Sequence, residues 1–520
     1  NSDHVQAPAT KPHIHQAWDG FRGAGLWVRM NPDTAYVQAI SATLASGLPD
    51  NAANAEPADW RDVVSWGFSV GPGVREEVWL ASVAEMADRV QVGAWHVAAD
   101  NLDGVLFAYP SARLCLPLIM QRYPTIGSVD VNMPAAFEGY TLLAPLQSKE
   151  TYLIDNAGEL VHSWSSDYKP GNVAYLLEGG ELLRAAMLEE PSRFQAGGAG
   201  GRVERFDWDG DLLWSYNFAD HDHRSHHDVE RLPNGNLLMI AWEYKSPAEA
   251  VAAGCKPNLA QSGLWPDHVI EVSPSKEIVW AWHVWDHLVQ DYDPTKENYG
   301  VVEDHSEKID VNHRRGQGAD WNHANSVDYH AGFDQILLSV RQFNEIWIID
   351  HGTTITEARG PAGDLLYRWG NPAAYGGGGE QTLFGQHNAH WIGQGLPGAG
   401  NILLFNNGVG RTPPYSSVDE IVLPVDAGGK YAALEATTAW SYELSEELTS
   451  LKISGAQRLP NGNTLICSGA EGVILEVTSD GDIVWQYTLA PVPVEPGSEV
   501  QPGARDDIFR AYRYAPGSSP

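Results

Sequence analysis

A short pattern that recurs six times after residue 138 restricts the fold of this chain more than any other feature of its sequence. The pattern is a turn, two aliphatic residues, an often aromatic position, one variable residue, and then Trp or Tyr. Its copies lie at residues 158–164, 210–216, 276–282, 363–369, 437–442 and 481–487, and the fifth copy is degenerate. Self-similarity of this kind predicts a repeat architecture rather than a single layered domain.

A second pattern, a tight turn that leads into an aliphatic strand, lies upstream of most copies. It occurs at 233–238 and 460–465 as Pro-Asn-Gly-Asn before aliphatic residues, and more loosely at 179–183. Asn-Gly between apolar runs is a strong hairpin signal, because both central residues of the turn need a positive φ. Each unit therefore predicts four antiparallel strands, which is one blade of a β-propeller.

The two ends of the repeat region predict how the ring closes. The first unit, 140–167, lacks an inner part, and the run 508–514 is strand-like and lies beyond the last copy. A C-terminal strand that completes the first blade would remove the open sheet edges. We therefore predict an all-β, six-bladed propeller over 136–520. The Trp and Tyr residues of the pattern are interpreted as packing between blades.

Residues 1–135 show no repeat and carry no motif that indicates a particular chemistry. The segment 34–46 allows a short helix, and strands are expected at 105–109 and 114–119. A second helix is expected because four apolar residues fall on one helical face, namely Trp79, Val83, Met86 and Val90. We predict a separate α+β region of unknown role over 1–135.

Composition excludes some partners. The chain has 67 acidic and 33 basic residues, a net charge of −34, which argues against nucleic acid because a phosphate backbone needs a cationic surface. The same charge disfavours anionic membranes and suits solubility in a salty medium. No apolar run approaches the roughly 20 residues that span a bilayer. The first residue is Asn1 rather than Met, which suggests removal of an export leader.

The cysteines give no metal pattern. Cys115, Cys255 and Cys467 are far apart in the sequence, so one disulfide is left open and no cysteine metal site is expected.

Three histidines hold similar places in three successive units, each just before a turn and a strand. They are His227, His323 and His387. Because the innermost strand of each blade lines the central channel, we expect these side chains to meet at one mouth. Arg341 offers a planar fork of donors for an oxyanion such as sulfate, phosphate or carboxylate. Asn325 can donate a further hydrogen bond to the same group.

Two kinds of chemistry fit such a cluster. Three neutral imidazoles and a water make a catalytic zinc site, but ligating histidines are usually oriented by carboxylates. Asp228 fits that role beside His227, and nothing equivalent is plain for the other two, so we predict no metal and no cofactor. The alternative is group transfer, since neutral imidazole is a fair nucleophile near pH 7. Further histidines would hold charge on the transferred group or protonate a leaving oxygen.

Several motifs together resemble the bacterial arylsulfotransferases over about 140–515. They are Asp-Trp-x-His-x-Asn-Ser-Val at 320–327, Ser-Val-Arg at 339–341, Asn-Glu-Ile-Trp-Ile-Ile-Asp at 344–350, His226-His227-Asp228, Gln386-His387, Asn406-Asn407-Gly408 with Arg411, and the run 509–514. The resemblance implies a six-bladed propeller in the periplasm or outside the cell. It also implies sulfuryl transfer from a phenolic sulfate ester to a phenol, without a nucleotide donor.

The resemblance also implies roles for single residues. His387 would become transiently sulfated, with His227, His323, Asn325 and Arg341 around the sulfuryl oxygens. One histidine would protonate the departing phenolate, in ping-pong covalent catalysis.

Some features depart from the family pattern. His390 is a second candidate nucleophile, and Ser468 is a candidate for the family's late hydroxyl contact with substrate. Residues 1–135 do not read as the all-β N-terminal domain of better-known members, and the cysteine pair of some members is absent. Two alternatives stay open: a lyase or hydrolase that acts on an anionic substrate with or without a metal, and a non-catalytic extracellular scaffold. The sequence leaves homo-oligomerisation open.

Overall fold

The structure is a computed structural model, and the chain divides into two compact units, residues 1–124 and 125–520. Described in full are residues 126–189, 192–313, 318–432, 435–490 and 507–516. Before residue 126, the backbone of seven strands is described. These strands are His13–His15, Gly25–Met30, Val37–Thr43, Ser65–Val70, Glu76–Ala81, Ala94–Val97 and Gly104–Phe107.

The described strands of the first unit correct the helices expected there. Val37–Thr43 pairs with Ser65–Val70, and Glu76–Ala81 pairs with Gly25–Met30, in antiparallel sheets. The prediction of a helix over 34–46 is therefore wrong for Val37–Thr43, and Trp79 lies in a strand. Both segments are rich in β-branched or aromatic residues, which favour strands once a partner strand is present.

The expected strand at 105–109 is found as Gly104–Phe107. The expected strand at 114–119, and Val83, Met86 and Val90 of the second expected helix, lie outside the described residues.

The second unit is a six-bladed propeller of antiparallel sheets, as predicted. From the innermost strand outward, blade 1 consists of Ile508–Tyr514, Tyr140–Pro145, Glu150–Ile154 and Leu160–Ser165. Blade 2 consists of Pro170–Leu176, Leu182–Met187, Gly201–Phe206 and Leu212–Asn217. Blade 3 consists of His223–Arg231, Leu237–Glu243, Asp267–Val272 and Ile278–His283. Blade 4 consists of Ala324–His330, Gln335–Val340, Glu345–Asp350 and Tyr367–Trp369. Blade 5 consists of His387–Trp391, Ile402–Asn406, Ser417–Val422 and Thr437–Glu443. Blade 6 consists of Gly455–Arg458, Thr464–Ser468, Val473–Val477, Ile483–Leu489 and Gly127–Asn132.

Both ends of the second unit take part in closing the ring. The C-terminal strand Ile508–Tyr514 pairs with Tyr140–Pro145 and supplies the innermost strand of blade 1, which confirms the predicted closure. The strand Gly127–Asn132 pairs with Ile483–Leu489 and adds a fifth strand at the outer edge of blade 6. The propeller therefore begins before residue 136, the boundary expected from the repeats.

The recurring aromatic residues pack between blades, as predicted. Trp164, Trp282 and Trp485, on the fourth strands of blades 1, 3 and 6, are each almost fully buried. Their indole N–H groups donate to backbone carbonyls at a turn of the next blade, namely those of Asp207, Gly363 and Asn156. A Trp at this place thus fills the gap between sheets while its one polar atom stays hydrogen-bonded.

Among the described residues of the second unit, helical structure is confined to insertions and connections. The α-helices are Pro247–Ala252 and Ile355–Ala358, each opened by a capping box, from Ser246 and Glu249 and from Thr354 and Glu357. The 3-10 turns are Val284–Asp286, Val302–Asp304, Pro361–Gly363, Pro372–Tyr375, Glu446–Leu448 and Gly469–Glu471. Two parallel strands, Leu288–Val289 and Ile309–Asp310, pair within the largest insertion. Among the described helices, none has the length and apolar character needed to cross a bilayer.

Candidate active site at the channel mouth

Three innermost strands share an unusual backbone conformation at one residue in or directly before the strand. His227, His323 and Asn388 all have φ 55°, a left-handed conformation that non-glycine residues seldom adopt. The pairing of each of these strands with the next one also shifts register nearby. Irregularities of this kind re-aim side chains and are frequent beside active sites. His387 directly precedes Asn388, so it lies one residue earlier than the places of His227 and His323.

The structure brings the three predicted histidines together. The ring centroids of His227 and His323 are 4.7 Å apart. The rings of His227 and His387 both lie against Phe509 of the closing strand, at 5.8 Å and 6.4 Å between centroids. Arg341 is close enough to His387 for its charge to affect the pKa of that imidazole. Side chains from blades 1, 3, 4 and 5 thus share one site.

Each of the three imidazoles is held by its Nδ1 atom. His227 Nδ1 lies 2.8 Å from His226 Nδ1, His323 Nδ1 lies 2.5 Å from Asp320 Oδ2, and His387 Nδ1 lies 2.7 Å from Asn407 Oδ1. The Asn407 amide nitrogen donates to the carbonyls of Ser450 and Ile453, so its oxygen faces His387 and accepts from Nδ1–H. The Nε2 atom of His387 therefore carries the lone pair, which is the tautomer that a nucleophile needs.

Burial and neighbouring charges keep two of these rings neutral. Burial lowers the pKa of His387 well below its ordinary value, and the positive charge of Arg341 lowers it further. Burial and then the neighbouring His323 do the same to the pKa of His227. Burial alone would raise the pKa of Asp320, but the charge and hydrogen bond of His323 bring it below its usual range. The site thus combines neutral imidazoles with one carboxylate–imidazole pair.

Three other residues predicted from the sequence as site residues, Asn325, His390 and Ser468, make hydrogen bonds to backbone carbonyls. Asn325 is fully buried, and its amide nitrogen donates to the carbonyl of Gln386, 2.8 Å away, directly before His387. His390 donates from Nδ1 to the carbonyl of Asn388, 2.9 Å away, and burial lowers its pKa to about 4. Ser468 is buried, and its hydroxyl donates to the Leu448 carbonyl at 2.7 Å rather than to the histidines.

Sequence reasoning missed several partners of the site. Asp228 does not orient a histidine; its carboxylate accepts from Arg510 and from the Tyr175 hydroxyl, both at 2.7 Å. The carboxylate that does reach the His226–His227 pair is Asp267, 3.1 Å from His226 Nε2. A local indication of the Asp320–His323 pair is present in the sequence, because Asp320 precedes His323 by only three residues. Asp267 lies on a different strand from His226, so nothing in the sequence indicated that contact.

Two chemical features of the described residues bear on ligands. Across the fully described ranges, no group of three or more His, Cys, Asp or Glu side chains is arranged to hold a metal ion. Cys255 and Cys467 are buried thiols, and Cys115 lies outside the described residues.

Solved structures with significant similarity are distant. They include a protein of unknown function from Bacteroides caccae, at 12% identity and a TM-score of 0.39, covering 72% of this chain and 98% of that one. A virginiamycin B lyase from Staphylococcus aureus matches at 10% identity and a TM-score of 0.34, covering 71% of this chain and 86% of that one. A putative 6-phosphogluconolactonase from Bacteroides fragilis matches at 11% identity and a TM-score of 0.34, covering 73% of this chain and 99% of that one.

No curated protein gives a significant match to the sequence. A family profile does: the one described as Arylsulfotransferase (ASST) matches residues 137–491. The match spans well over half of the chain and contains the three histidines and Arg341 of the channel mouth. The chain therefore belongs to the arylsulfotransferase family.

Proposed function

We propose that this chain transfers a sulfuryl group from a phenolic sulfate ester to a phenol, with His387 as the nucleophile. The observation that carries the proposal is the environment of His387: a buried neutral imidazole, held by Asn407 through Nδ1, with Arg341 beside it. A buried imidazole with an available Nε2 lone pair next to a guanidinium suits attack on an anionic sulfate ester.

In the donor half-reaction, Nε2 of His387 attacks the sulfur atom. The bond between sulfur and the phenolic oxygen breaks, and its electron pair leaves with the phenolate oxygen, which takes a proton from a neighbouring histidine. Arg341 supplies positive charge to the sulfuryl oxygens, and His323, held at Nδ1 by Asp320, lies beside them. Charge that is held in place before the reaction, in a site with little water, is the largest single contribution in many enzymes.

In the acceptor half-reaction, a phenol oxygen attacks the same sulfur atom. The bond between sulfur and Nε2 breaks, the electron pair returns to His387, and the phenol proton goes to a histidine. Atoms and charges balance without a metal or nucleotide as co-reactant. The two half-reactions use one set of residues, as expected for a ping-pong enzyme.

His390 is the weaker candidate for the nucleophile. Its electrostatic neighbours are Arg510 and Asp228, which form a buried ion pair with each other, whereas His387 has Arg341 and His323 beside it in addition to Arg510. A transferred sulfuryl group on His390 would lie near a guanidinium already committed to a carboxylate.

The proposal is tested by brief incubation with excess p-nitrophenyl sulfate, followed by intact mass and peptide mapping. We expect nitrophenolate release in a burst, together with one sulfuryl group per chain on the peptide that carries His387. Addition of phenol should remove the adduct. If neither release nor adduct is seen with this ester, with phenyl sulfate or with naphthyl sulfate, the proposal fails.

We expect Gly198→Ala to impair catalysis through His227. A Cβ atom at Gly198 would lie 2.0 Å from Cε1 and 2.1 Å from Nε2 of His227, so the ring would have to move. A displacement of about 1 Å can cost roughly 100-fold in rate. The measurement is kcat/KM for sulfuryl transfer together with the free energy of unfolding in urea.

Gly210→Ala is the matched control. Gly210 has a similar φ, 88° against 85° for Gly198, but nothing lies within 4 Å of its added Cβ. The left-handed alanine should cost each variant about 1–2 kcal/mol of stability, and Gly198→Ala should lose more because the His227 ring must also move. Only Gly198→Ala should lose activity, and equal activities in the two variants would contradict the role of Gly198.

We further propose that the enzyme works in the periplasm or outside the cell. The support is the family membership, together with a net charge of −34 that suits a salty medium. Fractionation of cells that express the full-length protein tests this location, and recovery in the cytoplasmic fraction would contradict it.

A further inference from the structure

His226 lies between the channel histidine His227 and a buried carboxylate. Its Nδ1 atom is 2.8 Å from His227 Nδ1, and its Nε2 atom is 3.1 Å from Asp267 Oδ1. The side chains of His226 and Asp267 are 0% and 2% exposed. The ring of Trp242 stacks on His226 at 4.0 Å between centroids, with an interplanar angle of 15°. The three polar groups thus form a single chain that is closed to bulk water.

Asp267 is held in place by the turn that carries His323. Its Oδ2 atom accepts from the backbone N–H of Ala324 at 2.5 Å, and its own N–H donates to the Asn322 side chain at 3.2 Å. This arrangement leaves Oδ1 for His226. Since Asp267 is on the third strand of blade 3, its hydrogen bonds to Ala324 and Asn322 join blade 3 to blade 4. These bonds lie on either side of His323 in the sequence.

The protons in such a chain can occupy only two ordered arrangements. When Asp267 is a carboxylate, His226 donates from Nε2 to Oδ1, His227 donates from Nδ1 to His226 Nδ1, and His227 Nε2 has a lone pair. When Asp267 is a carboxylic acid, each of these hydrogen bonds is reversed, and His227 Nε2 carries a proton. The two arrangements differ by one proton, which enters or leaves at His227 Nε2.

We propose that Asp267 and His226 are positioning residues of a proton relay through which His227 acts as the acid and base of sulfuryl transfer. This inference rests on the proposed function. In the donor half-reaction, His227 Nε2 gives its proton to the departing phenolate oxygen. The Nδ1 proton of His226 then moves to His227 Nδ1, and the Asp267 proton moves to His226 Nε2. In the acceptor half-reaction, a proton from the phenol enters at His227 Nε2, and the other two shift back.

The relay meets a physical requirement of this site, which is to exchange a proton without a buried imidazolium. Burial lowers the pKa of both His226 and His227 well below the ordinary value, so neither ring readily holds a positive charge. Burial raises the pKa of Asp267 well above its ordinary value, so a carboxylic acid is a stable end point. Uptake of one proton therefore converts a buried anion into a neutral chain, which avoids the cost of a buried cation.

The relay is tested with Asp267→Asn and His226→Asn in separate half-reactions. With phenyl sulfate as donor and phenol as acceptor, both steps need proton transfer, and we expect each variant to lose about 100-fold or more in rate. With p-nitrophenyl sulfate as donor, the departing oxygen needs little protonation, and with p-cyanophenol as acceptor, the acidic phenol gives up its proton readily. In both cases the loss should be under about 5-fold. The double variant should lose no more than either single variant, because the chain is already broken once.

A loss that does not depend on the acidity of the phenol would show a structural role and overturn the relay, as would no loss. Glu243→Gln is the matched control, because Glu243 is another buried carboxylate of blade 3 but pairs with Lys245, 2.9 Å away, and with His283. The control should show no dependence on phenol acidity.

Nitrogen-15 spectra of histidine test the relay without any turnover. In the unaltered protein, His226 Nδ1 and His227 Nε2 should change protonation together as pH is varied. The D267N amide would donate to His226 Nε2 and fix the proton on His227 Nε2 at every pH. Independent titration of His227, unaffected by D267N, would overturn the relay, even if no sulfate ester reacts and the proposed function itself fails. The groups that face the chain during such a titration are Asp320, His323, His387, Arg510 and His268.

Discussion

Replacing His387 with asparagine should abolish sulfuryl transfer while leaving the propeller folded. We expect the rate to fall by roughly 10⁴-fold or more, since removal of a nucleophile eliminates the covalent route. Both half-reactions should be lost, so neither a nitrophenolate burst nor a sulfuryl adduct should form. The shorter side chain can still donate to Asn407 Oδ1, the partner of His387 Nδ1 at 2.7 Å. Burst kinetics, intact mass and urea unfolding together measure these effects.

His390→Asn is the necessary comparison, because His387 and His390 are on the same strand and fall on the same proteolytic peptide. Peptide mapping alone would not separate them. We expect the H390N variant to form the adduct and the H387N variant to form none. The reverse result would move the nucleophile to His390 and to the surroundings of Arg510 and Asp228.

The propeller was predictable because its signals are local. An Asn-Gly turn, or a Trp at the end of an outer strand, reports the conformation of its own few residues, and repetition then supplies the arrangement. Trp164 and Trp485 show why the pattern recurs: each fills a gap between blades and donates its indole N–H to the next blade. The first unit has no such repetition, and a helix expected over 34–46 is a strand at Val37–Thr43, whose partner strand determined the outcome.

The histidines of the site were predictable for the same reason, whereas their partners were not. Asp320 precedes His323 closely in sequence, but Asp267 reaches His226 from a different strand, 41 residues away. Asp228 directly follows His227 and looked like its partner. In the structure the chain turns at His227, which has φ 55°, and the Asp228 carboxylate pairs with Arg510 instead. Adjacency in sequence therefore predicts contact poorly where the strand is irregular.

Arg510 explains why the closing strand matters for the site as well as for the ring. Its side chain is 2% exposed, and it donates to Asp228 Oδ2 at 2.7 Å and to the carbonyl of Asn325 at 2.6 Å. One guanidinium thus joins blade 1 to the innermost strands of blades 3 and 4. Those two strands carry His227 and Asn325.

Replacing Arg510 with methionine should be strongly destabilising. The change leaves the Asp228 carboxylate, 1% exposed, without its cation, and breaking a buried pair in this way typically costs about 3–5 kcal/mol. We expect the urea midpoint to fall accordingly, with transfer activity reduced further than the folded fraction explains. The activity loss follows because the carbonyl of Asn325 loses its donor beside the proposed sulfuryl site.

Two further variants separate the buried charge from the mere loss of a side chain. In the double variant Asp228→Asn with Arg510→Met, no uncompensated charge remains, so at least half of the lost stability should return. Lys452→Met removes a more exposed ion pair, with Asp507 at the start of the same closing segment, and should change stability by less than about 1 kcal/mol. If Arg510→Met is as mild as Lys452→Met, the closing strand is held by its backbone ladder and apolar contacts, and the buried pair serves only to shape the site.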